Sequence, residues 1–106
     1  MNNFKVIYRI LKELDRNKGD ESFDVRCISA DTLNISEREW EQLMIELQRA
    51  GYIDGIKYSM TLGDKFPHIA YPITPRITLK GMEYLADNSL MKKAENIFKG
   101  AVDLIK

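Results

Sequence analysis

The segment from Asn34 to Gly55, NISEREWEQLMIELQRAGYIDG, constrains the fold more than any other part of the chain. Ser36 and Glu39 stand in the S-x-x-E order of a capping box, which predicts that a helix begins there. The apolar residues that follow have the spacing of one buried helix face, and they are Trp40, Leu43, Met44 and Leu47. Gly51 is the type of residue that ends a helix in a left-handed, Schellman-type conformation. The segment therefore predicts an amphipathic helix, helix three of the chain, that leads directly into a strand.

An amphipathic first helix is predicted from Asn3 to Asn17, because its apolar residues recur at three- and four-residue spacing. The apolar stripe comprises Phe4, Ile7, Tyr8, Leu11 and Leu14, and it is widened by Val6 and Ile10. The opposite side of the helix carries Lys5, Arg9, Lys12 and Arg16. We interpret these basic residues as the solvated side of the helix.

The sequence FDVRCIS, residues 23–29, alternates apolar with polar side chains, which predicts a short strand. Cys27 lies in that alternating pattern and is expected to be a buried structural thiol. Ser29 then caps a short second helix, ADTL, and Asn34 tolerates the left-handed conformation of a tight link. A short helix joined tightly to a longer one is the order of a helix-turn-helix.

The rest of the chain predicts a hairpin followed by two helices. YIDGIKYS is the first strand, residues 60–72 are a long irregular connection, and ITPRIT leads into the second strand. Thr78 caps a fourth helix, and residues 90–106 form an appended C-terminal helix. We therefore predict one α+β domain spanning residues 1–106, a winged helix-turn-helix. It has a three-helix core, a two- to three-stranded antiparallel wing sheet and additional C-terminal helices.

The charges balance, with 16 basic and 16 acidic side chains and a formal net charge of +0. Phosphate neutralisation supplies most non-specific affinity for nucleic acid, so this balance disfavours a strongly basic nucleic-acid binder. The distribution is uneven, however, because residues 20–46 are acidic whereas residues 4–18 and 56–76 are mildly basic. A local basic surface therefore remains compatible with the sequence.

Catalysis, metal binding and membrane insertion are not expected. Cys27 and His68 are the only cysteine and the only histidine, and a nucleophile also needs a third group to orient its base. They are too few for a zinc site. The sequence also lacks a glycine-rich phosphate loop, which would indicate a nucleotide cofactor. The N-terminus lacks the apolar block of a signal peptide, and no apolar run is long enough to span a membrane. One cysteine suits a reducing compartment, so we expect a cytoplasmic, non-enzymatic protein without a cofactor.

Two stretches of the chain carry a resemblance to a known family. LQRAGYIDG, with its GYI-x-G entry into the hairpin, and ITLKGMEYLADNS, with the DNS ending of the fourth helix, resemble the YjcQ-like family. The terminal helix that ends in DLIK also fits, and the resemblance spans residues 4–106. The family comprises small winged-helix proteins of Bacillus-type bacteria and their phages. The resemblance implies the winged-helix fold and an association with phages or prophages, and it implies no particular activity and no functional residues.

The outer face of helix three is the first candidate for DNA contact, because helix-turn-helix proteins place the N-terminal part of this helix against base edges. Its predicted exposed residues are Glu37, Arg38, Glu41, Gln42, Ile45, Gln48 and Arg49. Arg38 can pair with guanine and Gln42 with adenine, whereas the carboxylate of Glu41 beside them repels phosphate. The alternative interpretation is a solvated helix face without groove contact.

The wing is the second candidate. Its basic residues are interleaved with Tyr58, Phe66 and Tyr71, and basic side chains beside aromatic rings can hold a phosphate backbone. The alternative is that the rings cover the helices below and the basic residues contribute solubility. Taken together, the candidate DNA-binding residues are Arg38, Glu41, Gln42, Arg49, Lys57, Lys65 and Arg76.

Two functions follow from these candidates. The first is a winged-helix protein that binds double-stranded DNA, a small phage- or prophage-associated transcriptional regulator. The second is a non-enzymatic, phage-related protein–protein interaction module that uses the winged helix as a rigid scaffold. In it the acidic face of helix three, at Glu37 and Glu41, docks a basic partner or a phage component. A continuous positive surface around helix three and the wing favours the first, and a negative one favours the second. The C-terminal helix either packs on the first helix or pairs with its twin in a homodimer.

Overall fold

The computed structural model of the chain describes residues 3–87, and its first helix, α1, spans Asn3–Arg16. The predicted first helix is therefore confirmed, and its most buried side chains are those of Val6, Ile10, Leu11 and Leu14. Phe4 is 65% exposed, so the buried stripe is turned away from that residue. The predicted basic side of the helix is exposed. The predicted helix at residues 90–106, and the homodimer contact assigned to it, lie outside the described residues.

The predicted strand at residues 23–29 is wrong, because a 3₁₀ helix spans Val25–Ile28. The Asp24 side chain accepts a hydrogen bond from the Arg26 backbone N–H at 2.9 Å, and the Cys27 N–H donates to the Asp24 carbonyl oxygen at 3.1 Å. These local bonds turn the backbone where alternation alone predicted an extended chain. The expectation of a buried thiol is also wrong, since Cys27 is exposed on this turn.

The tight pair of helices is present where it was predicted, with α2 spanning Ala30–Leu33 and α3 spanning Glu37–Arg49. Ser29 and Ser36 cap the two helices, and each accepts a hydrogen bond from the backbone N–H three residues further on. Asn34 adopts the expected left-handed conformation in the link, with a φ of 58°. On α3 the predicted inner face is confirmed, since Trp40, Met44 and Leu47 are buried and Leu43 is half-buried.

The predicted Schellman ending of α3 is also confirmed. Gly51 has a φ of +89°, which a side chain would disfavour. The Tyr52 N–H donates to the Leu47 carbonyl oxygen at 2.9 Å, and the Gly51 N–H donates to the Gln48 carbonyl oxygen at 3.0 Å. This pair of bonds satisfies two of the last carbonyl groups of the helix and sets the direction in which the chain leaves it.

A further helix, α4, includes residues 79–87 and begins where the sequence predicted, after Thr78. The Thr78 hydroxyl accepts a hydrogen bond from the Gly81 N–H at 3.1 Å and donates one to the Gly51 carbonyl oxygen. The Thr78 N–H also donates to the Tyr52 carbonyl oxygen at 3.1 Å. The start of α4 is therefore bound to the end of α3.

Between the end of α3 and the start of α4 the chain forms one antiparallel hairpin. Its inner half pairs β1 (Ile53–Asp54) with β4 (Arg76–Ile77), and its outer half pairs β2 (Lys57–Ser59) with β3 (His68–Ala70). Two residues separate β1 from β2, whereas five separate β3 from β4. The second strand therefore bulges, and a bulge of this kind bends a hairpin. The predicted irregular connection is corrected in part, because it contains β3.

Isoleucines on the hairpin complete the hydrophobic core. The buried ones are Ile53, Ile56, Ile69, Ile73 and Ile77, and they belong to one cluster with the inner faces of α1, α2 and α3. Burying each such side chain contributes roughly 1.5–3 kcal/mol relative to leaving it in water. The indole N–H of Trp40 donates to the Ile28 carbonyl oxygen at 2.6 Å, which fixes α3 to the 3₁₀ helix below it.

Candidate functional site

The outer face of α3 is covered by the hairpin. Ile45, which the sequence placed on that face among exposed residues, is only 1% exposed. That expectation is wrong because the hairpin bends onto α3 and makes a second apolar side for the helix. Gln48, also predicted to be exposed, is half-buried.

Gln48 binds the inner end of the hairpin through both atoms of its amide. Its Nε2 donates to the Ile56 carbonyl oxygen at 2.5 Å, and its Oε1 accepts from the Ile56 N–H at 2.7 Å. A side-chain amide that completes both backbone groups of one residue substitutes for a missing strand partner at the bend. The polar character of Gln48 therefore serves the fold.

Glu41 binds the outer half of the hairpin. One carboxylate oxygen accepts from the Ile69 N–H at 3.0 Å, and the other lies 3.0 Å from Nδ1 of His68. The other ring nitrogen of His68 lies 4.0 Å from an Asp64 carboxylate oxygen. The carboxylate that appeared to oppose DNA binding is thus an acceptor for β3.

Gln42 and Arg38 contact the same part of the hairpin. Gln42 Nε2 donates to the Pro67 carbonyl oxygen at 3.1 Å, and the Arg38 guanidinium carbon lies 5.7 Å from the centre of the Phe66 ring. The second distance is that of a cation–π contact. We refer to Arg38, Glu41, Gln42 and Gln48 together as the polar clasp. The structure brings three of the predicted DNA-binding residues together here, but each is engaged with the hairpin.

Two other candidate residues are paired with acids. Arg49 lies 3.3 Å from Glu46 on the same helix, and Arg76 lies 3.0 Å from Asp54 across the inner half of the hairpin. Both pairs are exposed, and exposed pairs contribute little to stability.

The exposed charges around α3 and the hairpin are mixed in sign. Lys57 and Lys65 are exposed on the hairpin, and Glu37 is exposed at the start of α3. Burial, followed by the negative charges of Glu41 and Glu37, raises the pKa of the Tyr71 hydroxyl. The surface is therefore neither continuously positive nor continuously negative, so its charge selects neither of the two predicted functions.

The tip of the hairpin is apolar, which the sequence reasoning missed. Its exposed apolar side chains are Tyr58, Met60, Leu62 and Phe66, and Leu62 is fully exposed. The signal in the sequence was the run of apolar letters in MTLGDKF, which was interpreted only as an irregular connection. Solvent-exposed apolar groups in one cluster mark an interaction surface more often than scattered ones do.

A hydrogen-bonded turn holds this tip. The Asp64 carboxylate accepts from the Thr61 hydroxyl at 2.6 Å and from the Thr61 N–H at 2.9 Å, and the Asp64 N–H donates to the Thr61 carbonyl oxygen at 3.0 Å. The bonds from Thr61, and to a smaller extent the charge of His68, lower the pKa of the Asp64 carboxyl. The turn therefore presents Leu62 from a defined backbone.

The family model described as YjcQ protein matches residues 8–104. The chain belongs to the YjcQ family. A YjcQ-family relative from Bacillus subtilis (strain 168), described as "Uncharacterized protein YjcQ", is 33% identical over 106 residues, which cover all of both chains. No solved structure matches the chain. The resemblance carried by GYI-x-G and ITLKGMEYL is thereby confirmed at the level of the family.

The described part of this YjcQ-family chain contains neither a metal-ligand cluster nor a membrane-spanning helix. Within residues 3–87, no group of three or more His, Cys, Asp or Glu side chains is placed to hold a metal ion. No helix in the same part of the chain is long and apolar enough to cross a bilayer. The clasp and the tip are therefore the features from which a function is argued.

Proposed function

We propose that this YjcQ-family chain is a winged-helix protein-interaction module that docks a protein partner through the tip of its hairpin. The winged-helix assignment is supported by the chain order: α2, a tight link and α3 precede an antiparallel hairpin that returns to a helix. In this assignment the hairpin is the wing.

The observation that carries the proposal is the exposure of Leu62 at the apex of a hydrogen-bonded turn. An apolar side chain held in water by a fixed backbone is preorganised for burial in a partner, because little conformational entropy is lost on binding. Met60 and Phe66 lie in the same tip and enlarge the apolar area that a partner would cover. Apolar anchors in the centre of an interface supply most of its binding energy.

The polar clasp argues for the tip over the outer face of α3. An interface on that acidic face uses Glu37 and Glu41, and the Glu41 carboxylate is already bonded to the Ile69 N–H of the hairpin. Reversing the charge of Glu41 would therefore disturb the hairpin as well as any interface. We therefore propose the tip of the hairpin as the docking surface, in place of the acidic face of α3 that the sequence suggested.

A matched pair of leucine substitutions tests the proposal. Leu62 is fully exposed and Leu79, the first residue of α4, is 77% exposed, so aspartate is accommodated at either position. We expect Leu62→Asp to lose a protein that wild-type chain captures from the host, in a quantitative affinity purification, and Leu79→Asp to retain it. Capture of the same set of proteins by all three chains would contradict docking through the tip.

DNA binding is the second candidate, as a small phage- or prophage-associated transcriptional regulator. It is favoured by Arg38, Lys57 and Lys65, which are exposed on α3 and on the hairpin. In this version the wing and the start of α3 hold the phosphate backbone, and the clasp fixes the wing in place. Base contacts by Gln42 and Glu41 would require the clasp to open.

A salt titration separates the two candidates. If the chain binds DNA, fluorescence anisotropy with duplex DNA at about 50 mM salt shows binding that weakens steeply as salt increases. Replacing Lys57 and Lys65 together with alanine should then reduce both the affinity and the salt dependence. Lys12→Ala, on the exposed side of α1, is the control and should change neither. No binding at about 50 mM salt would exclude the DNA candidate.

A further inference from the structure

Strand β4 has an edge that faces away from β1. The Thr78 N–H donates to the Tyr52 carbonyl oxygen at 3.1 Å, and Arg76 is paired with Asp54. Residues of an antiparallel pair alternate in the direction of their backbone groups, so Ile77 between them directs its N–H and C=O to the opposite edge. These two groups have the direction needed to bond an added strand.

An open cleft lies along that edge. It has a volume of about 580 Å³ and runs between residues 17–25 on one side and residues 73–77 on the other. Leu14, Phe23, Val25, Ile73 and Ile77 contribute its apolar lining. The cleft is therefore bounded by an apolar lining and by a strand edge, which is the environment of a half-buried strand.

Residues 17–23, on the side of the cleft opposite β4, form backbone hydrogen bonds with one another. The Asp20 N–H donates to the Asn17 carbonyl oxygen at 3.0 Å, and the Phe23 N–H donates to the Asp20 carbonyl oxygen at 3.2 Å. Residues 23–29, which the sequence predicted as a short strand, instead contain the 3₁₀ helix Val25–Ile28. Among residues 3–87, the sheet of the inner half thus ends at β4, and the cleft lies beside that strand.

We propose that this cleft takes a short extended segment of a partner protein, which adds to β4 as a third strand. Added strands are recognised by main-chain hydrogen bonds, while the pockets beside the edge select alternate side chains. The apolar lining selects apolar side chains at alternate positions. Pro75 has no N–H to donate, so the added strand ends its pairing there.

The charges at the rim select the ends of that segment. Asp20 and Glu21 are exposed at the mouth of the cleft. The two basic residues of the lining are paired with acids outside it, because Lys18 Nζ lies 3.1 Å from an Asp15 carboxylate oxygen and Arg76 Nε lies 3.0 Å from an Asp54 carboxylate oxygen. The rim is therefore acidic, and a segment flanked by lysine or arginine is complementary to it. This proposal is independent of docking through the hairpin tip, because the two surfaces share no residues.

The test uses a synthetic peptide of alternating valine and threonine with a lysine at each end. At saturating peptide we expect the Ile77 amide proton to move downfield in NMR spectra and to exchange with solvent at least about tenfold more slowly. A peptide of the same sequence with N-methylated central residues lacks the donors and should produce neither change. An Ile77 amide unchanged at millimolar peptide, or equal effects of the two peptides, would overturn the proposal.

Two variants locate the binding in the cleft. Phe23→Ser removes an aromatic side chain from the lining and should weaken peptide binding at least about tenfold. Tyr58→Ser is the matched control, because it makes the same kind of change on the hairpin, outside the cleft. Exchanging the terminal lysines of the peptide for glutamates should weaken binding to the wild-type chain as well. Equal affinity of the two variants for the peptide would contradict binding in the cleft. If Phe23→Ser does not fold, amide exchange at Ile77 in the wild-type chain determines whether the peptide binds at β4.

Discussion

The two halves of the hairpin are held in different ways. The inner half is fixed by backbone bonds to the helix ends and by buried isoleucines such as Ile53 and Ile77. The outer half has exposed side chains throughout β2. It is attached to α3 mainly by Arg38, Glu41 and Gln42 of the polar clasp and by the buried Ile69. The inner half therefore belongs to the core, whereas the outer half is a projection whose position depends on a few polar side chains of one helix.

A substitution at the junction between the two halves is expected to have the largest effect on stability, and it tests whether the inner half belongs to the core. Gly55 has a φ of +93°, and a Cβ there would overlap the Thr74 backbone carbonyl. We expect Gly55→Ala to lower the free energy of unfolding by at least about 3 kcal/mol, as the sum of left-handed strain and a steric clash. Urea denaturation followed by circular dichroism measures the change.

Gly63 is the matched control for this substitution, since it has a similar φ of +94° but open space where the Cβ would lie. Gly63→Ala at the tip should cost only about 1 kcal/mol, from strain alone. Equal losses at the two glycines would show that the inner and outer halves tolerate disturbance alike.

Two glutamines of α3 compare the core end of the hairpin, at the bend where β1 leads into β2, with the outer half. Gln48 bonds both backbone groups of Ile56, whereas Gln42 bonds one carbonyl group, that of Pro67. Gln48→Ala leaves a half-buried N–H without its partner and should cost about 2 kcal/mol, against about 0.5 kcal/mol for Gln42→Ala. The same urea denaturation applies, and a reversal of this order would contradict the assignment of the inner half to the core.

Glu41 tests how the outer half is attached. Glu41→Ala removes the acceptor of the Ile69 N–H and should cost about 1.5 kcal/mol, with faster amide exchange at Ile69. Glu46→Ala, on the exposed side of the same helix, should change stability by less than about 0.5 kcal/mol. If Ile69 exchanges at the same rate in the two variants, the clasp does not hold β3.

Acid should loosen the tip and spare the inner half. The pKa of the Asp64 carboxyl is lowered in the folded chain by its bonds from Thr61. The ionised Asp64 carboxylate therefore stabilises the folded tip. This stabilisation is fully present above the ordinary aspartate pKa of about 4, and it is lost as the pH falls through the lower pKa that the carboxyl has in the folded chain. NMR shifts of the Thr61 amide should follow this titration, while the Thr78 amide stays unchanged.

Asp64→Asn is the control for the acid effect, because its side chain keeps an acceptor for the Thr61 N–H but does not titrate in this range. Its Thr61 shift should be constant over the same pH interval. An identical titration in the variant would assign the effect to another group.

The sequence predicted the helices well because their signals are local. The cap at Ser36, the inner face from Trp40 to Leu47 and the Schellman ending at Gly51 each depend on residues within a few positions of one another. The family was likewise recognisable from the short stretches GYI-x-G and ITLKGMEYL. These elements need no knowledge of what packs against them.

The candidate site was less predictable because it is built from distant partners. Glu41, Gln42 and Gln48 have the polarity of solvated residues, and only the bend of the hairpin makes them structural. That bend arises from the unequal number of residues in the two strands, which no periodicity encodes. At residues 23–29 the error had a local cause, since the Asp24 side chain competed with strand pairing.

The hydrogen bond between the Thr78 N–H and the Tyr52 carbonyl oxygen closes the base of the hairpin. The arrangement of the helices therefore does not depend on the length of the hairpin. The chain leaves the helical body and returns to it at one point, so residues inserted between them enlarge a loop whose ends are already closed. Doubling the length of such a loop costs only about 0.6 kcal/mol in closure entropy. We therefore expect residues added to or removed from the tip to change how far the hairpin projects while leaving the helical body intact.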